Sequence, residues 1–246
     1  MGNYSYTNSI AYYFVILSLL GISRYGQRII SQSADDETLL RKNFWSLFVV
    51  HILNSLVVLL VYGFFVLFFT KEDKLIYLIQ GFYVASALFD ITWLFYGLEN
   101  FKSVVIKNAV VKIVECILIF VFVHSPSDLW KYTVISTMGL LLGQVVMLPQ
   151  AIHLVPWMRF ARKDMKRHIK PLLVFSISVI AVSLYTVFDK TLLGLLTNKE
   201  NVAFYEYSNK IITIPKTIIG VVGTVMFPRA CRLAARGDSA GQRKYI

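Results

Sequence analysis

The hydrophobic positions of this chain fall in long blocks, not in alternating stripes. Seven blocks stand out, over residues 4–22, 45–69, 75–95, 104–123, 132–152, 172–196 and 204–227. A bilayer core about 30 Å thick needs about 20 apolar residues of helix to cross it. A helix on the surface of a soluble domain would keep one polar face, and these blocks do not. Strands of a membrane barrel would alternate with a period of two, which is also absent. The pattern therefore predicts an all-α integral membrane protein, a multi-span helical bundle of about seven transmembrane helices. The last block is the least apolar and contains Pro215 and Lys216. A proline in a membrane helix frees a carbonyl that neighbouring helices or water must satisfy. That helix is expected to line a cavity.

Composition agrees, with 57% hydrophobic residues. The formal net charge of +11 invites a nucleic-acid reading, but placement argues against it. Arg24, Arg28, Arg41 and Lys42 follow the first block, and Lys102 follows the third. Arg159, Arg162, Lys163, Lys166, Arg167 and Lys170 follow the fifth; Arg229, Arg232, Arg236, Arg243 and Lys244 follow the seventh. The opposite side carries only Lys71, Lys74, Lys131 and Lys199. The positive-inside rule puts the richer set in the cytoplasm. The charge is thus a topology signal and a contact for anionic membrane lipids, with no nucleic-acid partner expected. The first residues, MGNYSYTNSI, lack the basic start and cleavage site of a signal peptide. This orientation puts Met1 outside, which fits a chain lacking a first helix. The basic stretch 156–170 reads as a cytoplasmic linker, with Pro171 opening the next helix. It divides the chain into a first lobe, 1–155, and the start of a second, 171–246.

A charge at mid-bilayer costs about 2.5–3.5 kcal/mol on insertion scales, so intramembrane charges usually face a bundle interior or a water path. Lys112 and Glu115 share a helix face and read either as a neutralised pair locking helices together or as a functional pair. Lys107 lies nearer the cytoplasm and can snorkel. Asp90 lies deep in the third block and needs a cation, a proton or a hydrogen-bonding partner, with Lys112 of the next block as a candidate. Asp189 and Lys190 point about 100° apart and are not expected to pair with each other. In the seventh block Glu206, Lys210, Thr213, Thr217, Gly220 and Thr224 form one polar or small face, with Lys216 beside it. It reads as a tight interhelical seam or a cavity wall, with Glu206 and Lys210 as an i,i+4 pair. Asp90, Glu115, Asp189, Lys190 and Glu206 are candidates for coupling or charge pairing. Gly139 and Gly143 form a GxxxG, expected to serve close helix packing.

No catalytic constellation, phosphate loop or metal motif is present. Cys116 and Cys231 are too few for a framework or metal site, and His51, His124, His153 and His168 lack ligand spacing. No cofactor is expected, and the chain does not read as an enzyme.

Four segments are similar to those of a known family. LGISRYGQRII at 20–30 resembles the segment after the second helix of polysaccharide flippases, and FDITWLFYGLENFKSVVIKN at 89–108 their fourth-to-fifth helix hairpin. VAFYEYSNKIITIP at 202–215 and VMFPRACRLAARGD at 225–238 resemble their eighth helix and the loop after it. The family is the Wzx-like polysaccharide transporters, in the superfamily of the multidrug and toxin extruders. Ala203 departs from its usual glycine. The resemblance implies a multidrug-and-toxin-extruder-like fold with two lobes around a cavity. It also implies that the chain holds family helices two to eight, without the first helix and most of the second lobe. The implied function is flipping of undecaprenyl-pyrophosphate-linked oligosaccharide across the bacterial cytoplasmic membrane by alternating access. The implied partners are that lipid-linked oligosaccharide and polysaccharide polymerase or assembly proteins.

Such an anionic headgroup needs fixed positive charge in a low-dielectric path. Lys107, Lys112, Lys210 and Lys216 are the candidates within the cavity, and Arg24 and Arg28 at its cytoplasmic mouth, where anchoring to the membrane surface is the competing role. Tyr12, Tyr13, Trp93 and Tyr96 are candidates for stacking on sugars, with packing as the alternative. Three other functions compete: a drug exporter of the same fold, which would favour acids such as Asp90; a non-functional flippase fragment; and a membrane-embedded glycan enzyme, which the short outward loops disfavour.

Overall fold

The computed structural model describes residues 2–70 and 72–235, and all regular structure among them is helical. Lys71, Arg236, Arg243 and Lys244, with the side chain of Lys199, lie outside the described residues. In chain order the helices are α1 (Gly2–Leu19), α2 (Ile22–Ser33), α3 (Glu37–Phe69), α4 (Lys74–Leu88) and α5 (Thr92–Gly97). They continue with α6 (Phe101–Phe122), α7 (Leu129–Val145), α8 (Leu148–Leu154), α9 (Arg162–Leu196) and α10 (Lys199–Ala235).

All seven expected blocks are helical, but not all are unbroken or uniformly apolar. Among the described residues, four stretches are long and apolar enough to cross a membrane: 2–33, 37–69, 74–97 and 126–154. A fifth is 162–196, which bends by 48° between its two parts. The block at 104–123 is continuous helix to Phe122 in α6 and carries Lys107, Lys112 and Glu115; the block at 204–227 is continuous helix within α10 and carries Glu206, Lys210 and Lys216.

The first block breaks at Leu20 and Gly21, both with positive φ. A Cβ on Gly21 would sit 2.7 Å from the backbone nitrogen of Ser176, so α9 passes directly against this joint. Only glycine meets both demands there. The third block breaks after Leu88. The Asp90 carboxylate accepts hydrogen bonds from the Thr92 amide (2.9 Å) and hydroxyl (2.6 Å), closing a turn that leads into α5. Of the partners Asp90 required, the structure supplies local hydrogen bonds in place of Lys112.

Two further expectations are corrected by local chemistry. The linker is helical from Arg162, because the Asp164 carboxylate accepts from the Ala161 amide at 2.9 Å and bridges to Lys42 at 3.0 Å. Pro171 accordingly lies inside α9, not at its first turn. Asp36 caps α3 by accepting from the Leu39 amide at 3.0 Å.

α3 shows how the bundle meets lipid. Phe44, Leu47, His51, Ser55, Tyr62 and Val66 are buried along one face. Leu53, Leu56, Val57, Leu60, Phe64 and Leu67 are exposed on the other, where acyl chains would cover them. α6 is more peripheral, with Val104 its one buried residue among those described. It packs on α7 through Gly143, where a Cβ would come within 2.9 Å of Val111. The GxxxG does serve close packing.

The apolar core has two parts. One joins Ile22, Tyr25, Phe44, Trp45, Trp93 and Phe95 toward the basic end. The other joins Ala11, Val15, Tyr62, Val66, Tyr77 and Val84 toward the opposite end.

Candidate functional site

α1 touches α3 and α4 on one side and α9 and α10 on the other. Its first half reads Tyr4, Ser5, Tyr6, Thr7, Asn8, Ser9, and a polar run this dense needs partners in a bundle interior. The Asn3 amide donates to Asp73 at 3.1 Å, and the Asn8 amide to the fully buried Gln80 at 3.3 Å. Tyr13 shares a hydrogen bond with Thr191 of α9 at 3.1 Å.

The outer ends of α1, α7 and α10 meet around a closed-down cleft of about 10 Å³, room for one water, lined by Tyr4, Ser5, Tyr132, Glu206, Tyr207 and Lys210. The Tyr4 and Tyr132 rings meet edge to face at 4.9 Å. Glu206 pairs with Lys190 of α9, and Asp189 accepts from the Tyr205 hydroxyl at 2.9 Å. These two contacts tie the α9–α10 hairpin. Asp189 and Lys190 do not pair with each other, and the expected Glu206–Lys210 pair is replaced by Glu206–Lys190. Lys210 instead lies over the Tyr207 ring, 5.6 Å from its centroid, and forms no ion pair among the described residues.

Lys112 and Glu115 do pair, at 2.7 Å within α6. Glu115 is within electrostatic range of both Tyr4 and Tyr132, and Lys112 of Tyr132. Five of the sequence candidates, Lys112, Glu115, Lys190, Glu206 and Lys210, thus gather around three tyrosines. Lys107 stands farther down α6, where its ammonium donates to Gln144 of α7 at 3.4 Å. Lys107 and Lys112 line one groove between α6 and α7. Lys216 is exposed midway along α10. The threonines of the α10 stripe are exposed or half-buried, and Thr213, Thr217 and Thr224 bond back to carbonyls one turn earlier.

At the cytoplasmic end, Arg24 lies over the Phe227 ring at 5.3 Å, and Arg28 is exposed one turn on. The end of α10 is docked there by the Ser31 hydroxyl, which donates to the Pro228 carbonyl at 2.6 Å, and by Arg232–Glu99 at 3.2 Å. Both arginines therefore stand where α2 meets α10.

Sequence reasoning missed Tyr4, Tyr132 and Tyr207. The signal for Tyr4 was the polar run at the start of an otherwise apolar block. Trp93 is a core residue, 1% exposed, with its indole donating to the Asp90 carbonyl at 3.0 Å, so it cannot stack on a sugar. His51 and His168 are buried and hydrogen bonded. Among the described residues no cluster of three or more His, Cys, Asp or Glu is placed to hold a metal.

The family profile described as "Polysaccharide biosynthesis protein" matches residues 1–234. The chain belongs to that family. Two relatives are named as candidate O-antigen transporters. One, from Shigella dysenteriae, is 28% identical over 73% of this chain and 46% of its own length. The other, from Escherichia coli K12, is 20% identical over 93% of this chain and 56% of its own length. The chain thus spans about half the length of these relatives. No solved structure matches it. The chain is a multi-pass helical membrane protein, consistent with the bacterial inner membrane.

Proposed function

We propose that this family member forms the first lobe and the start of the second in a flippase for lipid-linked oligosaccharide. In this reading all seven blocks cross the membrane, in an arrangement like that of the multidrug and toxin extruders. The substrate is an oligosaccharide on undecaprenyl pyrophosphate, moved by alternating access.

The observation that carries the reading is the outer cleft. Tyrosine rings offer faces for sugar stacking, and their hydroxyls offer hydrogen bonds. The Lys112–Glu115 and Lys190–Glu206 pairs are internally neutral, so they add polarity without net charge. Lys210 adds one positive charge from the second lobe. Once widened from its about 10 Å³ by alternating access, a polar, slightly cationic cleft between the lobes suits an anionic glycan headgroup and would not suit a lipophilic cation. That argues against a drug exporter, as does the engagement of Asp90 by Thr92.

Arg24 and Arg28 at the α2–α10 junction are assigned to first contact with the pyrophosphate. Arginine matches phosphate oxygens with paired donors. The test is export. In a strain that depends on this protein for surface polysaccharide, replacing Lys112, Lys210 and Lys216 together by Ala should sharply reduce export at an unchanged protein level. Full export by that variant would refute the assignment.

A further inference from the structure

A cavity of about 330 Å³ opens at the cytoplasmic end between α2, α3 and the first turns of α9, away from the cleft described above. Its wall includes Tyr25, Gln32, Asn43, Arg167 and His168, with Ile29 and Leu39 as apolar flanks, and no carboxylate lines it. Of the acids nearby, Asp36 caps α3 at Leu39, Glu37 pairs with Arg41, and Asp164 holds Lys42 and caps α9 while lying within electrostatic range of Arg167. Among the described residues Arg167 forms no ion pair, and neither does Arg28, which together with Arg167 lies within electrostatic range of Tyr25.

The polar groups are oriented for an acceptor-rich guest. His168 is 1% exposed and its two ring nitrogens are used by the Tyr25 hydroxyl (2.8 Å) and the Ser46 hydroxyl (3.1 Å). That fixes the back wall. The side-chain oxygen of Asn43 accepts from Arg167, which leaves the Asn43 amide nitrogen as a donor. Gln32 is exposed at the rim and supplies another amide. Donors and a guanidinium without acids describe a site for phosphate oxygens.

We infer that this cavity binds a phosphate-bearing group at the inner membrane surface, and that the group belongs to a membrane phospholipid. Two features favour the lipid source. Ile29 and Leu39 give the cavity an apolar side on which a glycerol and the start of an acyl chain can lie. The surrounding linker carries Arg162, Lys163, Lys166 and Lys170, which concentrate anionic lipid there. A bound headgroup would bridge α2 and α3 to α9, across the boundary between the lobes.

The experiment is thermal unfolding of the purified full chain in uncharged detergent. It is titrated separately with phosphatidylglycerol, diacylglycerol and inorganic phosphate. Phosphatidylglycerol should raise the midpoint and diacylglycerol should not. Inorganic phosphate should have little effect at matched concentration; stabilisation equal to the lipid's would assign the site to soluble phosphate and overturn the lipid source. Arg167→Ala should weaken the lipid effect about tenfold in half-saturating concentration, the loss expected for one charged hydrogen-bonding partner. Gln32→Glu, at an exposed position that folding tolerates, should weaken it by placing a carboxylate at the rim. Arg159→Ala, an exposed linker arginine outside the cavity, should behave as wild type. Equal responses of the Gln32→Glu, Arg167→Ala and Arg159→Ala proteins, or stabilisation by diacylglycerol, would overturn the site.

Discussion

At the cytoplasmic end, Phe44, Trp45, Trp93 and Phe95 are packed out of contact with the surroundings. Their polar atoms are consumed internally: the Trp45 indole donates to the Val155 and Pro156 carbonyls, and the Trp93 indole to Asp90. At the outer end, Tyr4, Tyr132 and Tyr207 meet two ion pairs and Lys210 around a cleft. The same residue classes, aromatic rings and charges, thus serve different ends. Inside lipid there is no hydrophobic drive to bring helices together, so packing and hydrogen bonds must do it. The cytoplasmic end uses them for that purpose. The outer end leaves rings and a lysine with capacity for a ligand.

That contrast can be broken by substitution. The largest effect is expected for Trp93→Ala, which empties a core site against Phe44 and Gly26. It should cost about 3 kcal/mol or more, read as a loss of folded protein in detergent. His168→Ala strands the Tyr25 hydroxyl, while Ser46 keeps its bond to the Lys42 carbonyl, and should cost about 2 kcal/mol in the same assay. At the outer end, a double-mutant cycle of Lys190→Ala and Glu206→Gln should give a coupling of about 1 kcal/mol, since both groups are mostly buried. The smallest stability effect is expected for Lys210→Ala, an exposed side chain with no ion pair among the described residues, at less than about 0.5 kcal/mol. If Lys210→Ala unfolds the protein as Trp93→Ala does, the distinction between the two ends fails.

The helices themselves were legible in the chain, because seven long apolar blocks leave little alternative to helix. Their interruptions were not. The joint at Leu20–Gly21 depends on α9 crossing it at Ser176, a contact no local pattern announces. Asp90 looked like a lone intramembrane acid because the third block read as one unbroken helix; the break after Leu88 lets its carboxylate reach Thr92 two residues on. Glu206 has Lys210 one turn away on its own helix and still pairs with Lys190, because the α9–α10 hairpin brings that lysine closer. Lys112–Glu115 was readable, being a pair within one helix. Partners within a turn can be read from spacing; partners between helices depend on how the bundle closes.

The most direct test of the outer cleft is photo-crosslinking. A photoreactive side chain is placed at position 207, in the cleft, and in a second protein at position 106, on the lipid-exposed face of α6. Each protein is then illuminated in membranes containing radiolabelled lipid-linked oligosaccharide. Capture of the glycan at position 207 well above position 106, and competed by unlabelled substrate, is the predicted result. Equal capture at the two positions, or capture at neither, would contradict the account.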